Sequence, residues 1–230
     1  MLGIIGAMEN EMEQLCRMMP EVEIRTIAGM KFHKGMINGK EVVVVRSGIG
    51  KVNAGICSQI LVDHYHVEGI LNTGIAGSLN DEINIGDIVL SVDAVQHDVE
   101  ASAFGYEPGH IPQMDTREFK ADERLLKTGM ECCQEANPDI RTFAGRIVSG
   151  DQFIGDRNKK AWLRDTFHGD CTEMEGAAIA QAAYLNQVPF LIIRAISDKA
   201  DDSVQMDYKT FEAAAIEHAV RLVSAMLSRM

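Results

Sequence analysis

Four acidic residues sit where hydrophobic segments of this chain break into turns, and they are its clearest candidates for chemistry. Glu11 lies in Gly6-Ala7-Met8-Glu9-Asn10-Glu11, after the apolar residues 2–5. Glu173 and Glu175 bracket Met174 in Thr172-Glu173-Met174-Glu175-Gly176, and Asp198 ends Ile192-Ile193-Arg194-Ala195-Ile196-Ser197-Asp198. Carboxylates at the C-terminal ends of buried strands stand where open α/β sheets place ligands. Partial burial lets one carboxyl keep its proton while another stays ionised, the division of labour that acid and base catalysis needs.

Each residue also has a plainer reading. Glu175 ahead of Gly176-Ala177-Ala178 could charge a helix N-terminus favourably. Asp198 could close a turn, and Glu11 could be a surface carboxylate in the first turn of a helix. Gly48-Ile49-Gly50 and Gly74-Ile75-Ala76-Gly77 match neither the dinucleotide nor the P-loop fingerprint and read as turns that need permissive backbone. Joint placement at strand ends points to a shared active site. The residues alone leave both readings open.

The elements that must position these residues follow from periodicity and turn chemistry. Residues 2–5 read as a first buried strand, followed by a helix over about 10–19. Residues 24–28 and 31–37 read as strands, flanked by Gly29 and by the hairpin signal Asn38-Gly39. Residues 41–46 hold four consecutive valines, which suits a strand buried on both faces. A helix over 52–65 and a strand over 69–73 come next, with Gly74-Ile75-Ala76-Gly77 as a tight loop. Further strands are expected at 88–95, 141–149 and 190–197. Helices are expected from the N-cap Asp122 to Ala136, over 157–167, over 176–186 and over 208–229. Residues 97–118 lack periodicity and read as a functional or interface loop. The pattern predicts α/β architecture: one three-layer domain over 1–230, with helices on both faces of a mixed central sheet.

Composition narrows the partners. A formal charge of −12 argues against nucleic acid, which needs clustered Lys and Arg. The five cysteines form no C-x-x-C pair and are odd in number, so a disulfide framework or zinc site is not expected and a reducing cytoplasmic setting is. No basic segment precedes an apolar core at the amino terminus, and no apolar run reaches membrane-spanning length, so neither a secretory signal nor a membrane partner is expected. The seven histidines show no H-E-x-x-H spacing; His64 and His66 flank Tyr65 near a helix end. No metal and no organic cofactor are expected.

Gly6-Ala7-Met8-Glu9-Asn10-Glu11, Ser47-Gly48-Ile49-Gly50-Lys51-Val52, Asn72-Thr73-Gly74, Val148-Ser149-Gly150-Asp151, Glu173-Met174-Glu175 and Arg194-Ala195-Ile196-Ser197-Asp198 occur in the order found in bacterial 5′-methylthioadenosine/S-adenosylhomocysteine nucleosidases, which the chain resembles over nearly its whole length. The resemblance implies the nucleoside phosphorylase-like fold and a small-molecule nucleoside substrate. It implies hydrolysis of the N-glycosidic bond between adenine and a 5′-thio-substituted ribose, with 5′-deoxyadenosine as a further substrate and a place in methionine salvage. Adenine leaves poorly as an anion, so an acid must protonate N7; the resemblance gives that role to Asp198. An apolar strand end and neighbouring carboxylates favour its protonated form. Ser197 and Arg194 would orient this wall, Arg194 by holding a carboxylate. Glu11 matches the general base that prepares the attacking water, and the carboxylates would favour oxocarbenium charge on the sugar.

By the same likeness Glu175 binds the ribose hydroxyls with Met174 beside it, and Glu173 makes a supporting contact. Met8 and Met174 form a pliable wall against the sugar, although methionines also fill cores and the chain has thirteen. Phe153 would stack on adenine, the Ile154 backbone would contact it, and Ile49 would pack near the thioalkyl group. The 97–118 segment resembles a loop that crosses a dimer interface, and Phe104 and Pro112 would cover the 5′-substituent in the partner's site of a homodimer. Two positions depart from many relatives: Ile75 stands where Ser is common, and Tyr208 where some carry Phe, so its hydroxyl could reach the 5′ pocket. A phosphorylase would need a cation for phosphate; the turn Met8-Glu9-Asn10-Glu11 and Ile75-Ala76-Gly77-Ser78 supply none. A futalosine-type hydrolase and a non-catalytic nucleoside binder are the other readings.

Overall fold

The computed structural model describes residues 1–201 and 204–230, together with every side chain in those ranges except those of residues 11, 204–210 and 212. Two expected site residues, Glu11 and Tyr208, therefore have side chains outside the described residues. Ten strands are described: β1 (Leu2–Gly6), β2 (Val22–Ile27), β3 (Met30–Ile37), β4 (Lys40–Arg46), β5 (Gly69–Ser78), β6 (Ile88–Gln96), β7 (Phe119–Lys120), β8 (Thr142–Ser149), β9 (Cys171–Glu173) and β10 (Phe190–Asp198). The helices are α1 (Glu9–Arg17), α2 (Lys51–Tyr65), α3 (Glu123–Ala136), α4 (Arg157–Phe167), α5 (Gly176–Leu185) and α6 (Val204–Arg229).

The sheet is mixed. Strands β1, β4, β5 and β10 run parallel to their neighbours in the centre, with β2 and β3 added antiparallel at one edge. Side-chain alternation along a strand sends neighbouring residues to opposite faces. Val43 and Val45 thus enter one core with Ile5, Ile70 and Ile192, beneath α2 and α5. Val42 and Val44 enter the other with Ile4, Leu71 and Ile193, beneath α1, α3 and α6. The valine run is buried on both sides because both faces of the strand carry helices. At the predicted hairpin, Asn38 and Gly39 have φ of 50° and 78°, the pair of positive values that a tight twisted turn requires.

One expectation needs correction, and two short strands were not foreseen. The segment Gly74-Ile75-Ala76-Gly77 is not a loop: β5 continues through it to Ser78, pairing with β10 along one edge and with β9 at its end. This length lets β10, β6, β8 and β9 curl round and return to β5. Its small residues serve close approach of neighbouring chain, not a turn. Strands β7 and β9 are too short to show alternation, and both escaped the sequence reading. Asp122 caps α3 as expected, its Oδ1 accepting from the amides of Arg124 and Leu125, each at 3.0 Å.

Candidate active site

Because the central strands run parallel, their carboxy-terminal ends gather on one edge, and a cleft opens there. Its lining comes from Ala7 and Met8 after β1, Ile49 after β4, and Ile75, Ala76 and Gly77 within β5. Gln152, Phe153 and Ile154 after β8, Thr172 to Glu175 at β9, and Ser197 and Asp198 at the end of β10 complete it. Apolar walls with a few convergent polar groups are the usual make-up of a small-molecule site.

Asp198 is only 3% exposed. Its Oδ1 accepts from the Ala200 amide and its Oδ2 from the Ser197 hydroxyl, both at 2.8 Å, which fixes the carboxyl plane. Ala200 holds a left-handed backbone at φ 51°, a costly conformation for a residue with a Cβ. A register shift in the β10–β5 ladder sets Asp198 opposite Gly77. A Cβ at Gly77 would lie 2.7 Å from Asp198 Oδ1, so the absent side chain leaves the carboxyl its place.

Behind the cleft lies a buried ion pair. Arg194 Nη2 meets Glu173 Oε2 at 2.5 Å, with the side chains 2% and 4% exposed. Arg194 also donates to Asn72 Oδ1 at 2.6 Å and to the Ile193 carbonyl at 2.9 Å, while Asn72 donates to the Ile5 carbonyl. Glu173 Oε2 accepts from the Gly176 amide at 2.8 Å, and its Oε1 bonds the Ser149 hydroxyl. Burial alone would raise the Glu173 carboxyl, but the Arg194 charge and these donors outweigh it and hold it below its ordinary value. Glu173 thus lines the cleft while its oxygens anchor Arg194 and the start of α5.

Two helix N-termini end at the cleft, and neither is capped by its own N-cap side chain. At α5 the Gly176 and Ala177 amides donate to Glu173 and to Ser149 Oγ. At α2 the Gly50 amide donates to Glu175 Oε1 and the Lys51 amide to Asp151 Oδ1, each at 2.8 Å. Glu175 is therefore pinned at a cleft wall and is itself the residue preceding α5. Ile154 is buried, whereas Ile49 and Phe153 are 55% and 63% exposed at the mouth.

Of the expected site residues, Met8, Ile49, Phe153, Ile154, Glu173, Met174, Glu175, Ser197 and Asp198 meet in this cleft. Arg194 stands behind it, reaching it through Glu173. Phe104, at the end of a short 3₁₀ turn and 83% exposed, and Pro112, also exposed, are not among the residues lining this chain's own cleft. Sequence reasoning missed Ala7, Ala76, Gly77, Gln152 and Thr172 as lining, and Asn72 and Ser149 as supports. A polar Asn72 inside an apolar strand was the one available signal. Among the described residues, no three His, Cys, Asp or Glu side chains cluster to hold a metal.

The comparisons with known proteins agree with this geometry. The family model of the phosphorylase superfamily matches residues 1–228. The 5′-methylthioadenosine/S-adenosylhomocysteine nucleosidase of Bacillus thuringiensis (strain Al Hakam) is 40% identical over 230 residues, spanning 100% of this chain and 99% of its own. A 5′-methylthioadenosine/S-adenosylhomocysteine nucleosidase of Colwellia psychrerythraea 34H, solved in complex with adenine, superposes with a TM-score of 0.95 at 36% identity, covering 99% of this chain and 94% of that one. The futalosine hydrolase of Helicobacter pylori strain 26695 gives a TM-score of 0.94 at 31% identity, over 100% and 97% of the two chains. The chain belongs to the phosphorylase superfamily and, within it, to the 5′-methylthioadenosine/S-adenosylhomocysteine nucleosidases.

Proposed function

We propose that this chain hydrolyses the N-glycosidic bond of 5′-methylthioadenosine and S-adenosylhomocysteine, and of 5′-deoxyadenosine, releasing adenine and the 5′-substituted ribose. The observation that carries this reading is a single cleft joining Asp198, fixed by Ser197 and Ala200, to Glu175 and Met174 across apolar walls. Asp198 protonates N7 as the bond breaks. Glu11 activates the attacking water. Glu175 holds the ribose hydroxyls, and the carboxylates favour positive charge on the sugar. Phe153 and Ile154 form the purine wall; Met8, Ile49 and Met174 take the ribose and its thioalkyl arm, with Tyr208 at the 5′ end. Arg194 and Glu173 support the wall from behind.

Hydrolysis is favoured over phosphorolysis by the charge of the cleft. Among the described residues its lining holds Glu173, Glu175 and Asp198 and no Lys or Arg. Phosphate dianion would meet repulsion there and no bidentate donor. The test is adenine release in phosphate-free buffer with each nucleoside. Release unchanged by added phosphate supports the reading; strict dependence on phosphate overturns it. A futalosine-type nucleoside belongs in the same assay, since the Helicobacter pylori futalosine hydrolase is similar over the whole chain.

Residues 1–230 act as one catalytic domain of a cytoplasmic homodimer that returns by-products to methionine salvage. Exposed apolar side chains support the dimer: Ile49, Val52 and Ile56 around α2, Tyr184 and Leu185 on the adjoining α5, and Phe104 form surface that a second copy would cover. Phe104 and Pro112 would then close the 5′ end of the partner's cleft. All five cysteines are free thiols, in keeping with a reducing compartment, and among the described residues no helix is long and apolar enough to cross a membrane.

A further inference from the structure

Three loops at the cleft edge are tied into a closed ring by groups outside the set assigned to substrate. The Lys51 amide donates to Asp151 Oδ1 at 2.8 Å, and the Asp151 amide donates to Asp98 Oδ2 at 2.9 Å. Asp98 Oδ1 meets Lys51 Nζ at 2.5 Å, which returns the ring to its start. Lys51 Nζ also donates to Gln96 Oε1 at 2.9 Å, and Gln96 bonds Gln181 on α5. The Asp98 and Lys51 side chains are 13% and 18% exposed, so their pairing is shielded from bulk solvent.

The ring joins the two walls that must face each other across a bound nucleoside. Lys51 directly follows Ile49 and Gly50, while Asp151 directly precedes Gln152, Phe153 and Ile154. The purine loop is thereby tied to the loop that carries the alkyl wall at α2. We propose that Asp98, Lys51 and Asp151 are positioning residues that hold the purine wall and the thioalkyl wall at the spacing a 5′-thioadenosine needs. The inference rests on the nucleosidase reading for its ligand but not for its geometry. Breaking the ring frees the loops to separate, and the binding-competent fraction falls. Apparent affinity falls by that fraction, while the chemistry of the bound complex, set by Asp198 and its supports, is unchanged.

The test uses Asp98→Asn, which keeps shape but removes the charge, Lys51→Met, and the double variant. Each single change should raise KM for 5′-methylthioadenosine about tenfold or more with kcat within about threefold, as a shrunken competent fraction requires. The double variant should be no worse than the poorer single one, because both break one ring. Lys51→Arg should recover most of the loss. In an Asp198→Asn background, where turnover is slowed, calorimetric binding of 5′-methylthioadenosine should weaken by the same factors. KM and binding within about twofold of wild type, an additive double variant, or a fall in kcat with KM unchanged each overturns the proposal. If the wild type releases no adenine, the activity reading fails, and the binding constants still decide the fate of the ring.

Discussion

Adding one methyl group at Gly77 tests whether the position of Asp198 sets the rate. Gly77 lies inside β5 at ordinary strand φ, so Ala is conformationally allowed and would on its own stabilise the strand by roughly 0.5–1 kcal/mol. The added Cβ, however, would stand 2.7 Å from Asp198 Oδ1, 2.8 Å from Ala200 Cβ and 3.3 Å from Ala200 Cα. Two of these neighbours belong to a residue in a left-handed backbone, so little is free to give way. Overpacking of this kind costs about 1–3 kcal/mol, leaving a net loss of about 0–2.5 kcal/mol. The carboxyl is the softer partner and moves, by several tenths of an ångström to about one. A misplacement near 1 Å is worth roughly a hundredfold in rate. Gly77→Ala should therefore lower kcat about a hundredfold while KM changes by less than about threefold, since the acid acts mainly in the transition state. Adenine release in phosphate-free buffer gives both constants, and a melting curve guards against unfolding. The Gly77→Ala, Asp198→Asn double variant should be no slower than Asp198→Asn alone. A folded Gly77→Ala enzyme with kcat within about threefold of wild type would refute the reasoning.

Asp198→Asn should lower kcat about 10²–10⁴-fold with the fold intact and nucleoside still bound, checked by single-turnover adenine release and circular dichroism. Glu173→Gln leaves the Arg194 charge buried without its counter-ion and should destabilise by about 3–5 kcal/mol in urea titration. Because the folded Glu173 carboxyl lies below its ordinary 4.5, its contribution is present above that value and lost as pH falls through the lower folded one; the Gln variant should lack this acid limb. His97 is buried, neither ring nitrogen has a hydrogen-bond partner among the described residues, and burial pushes it down from 6.5 to about 4. The unfolded chain takes up this proton first, so stability should fall by about 3 kcal/mol between pH 6.5 and 4, and His97→Leu should remove most of that slope in denaturant titrations across the range.

What could be read from the sequence was whatever is encoded locally. The valines of β4, the Asn38-Gly39 turn and the Asp122 cap each depend on residues within a few positions, and the structure places them as their chemistry predicts. Gly74-Ile75-Ala76-Gly77 was misread because a loop and a strand that admits close neighbours both favour small residues. What sets this segment apart is Asp198, more than 100 positions away, and no window on the sequence contains both. The carboxylates were visible because strand ends are visible. Their supports were not: Asn72 meets Arg194 across 122 positions, and Lys51 meets Asp98 across 47. Phe104 and Pro112 are assigned through the family resemblance, and neither is among the residues lining this chain's own cleft.

The first amides of α2 and α5 find their acceptors on Glu175, Asp151, Glu173 and Ser149, none of which belongs to the helix it finishes. Neither helix can complete its opening turn until strands far apart along the chain have come together. Maturation of the reactive centre and consolidation of these helices are consequently one event, so hydrogen exchange at Gly50, Lys51, Gly176 and Ala177 should report on both at once. Damage to the cleft would be felt at these amides before it reached the hydrophobic layers beneath them.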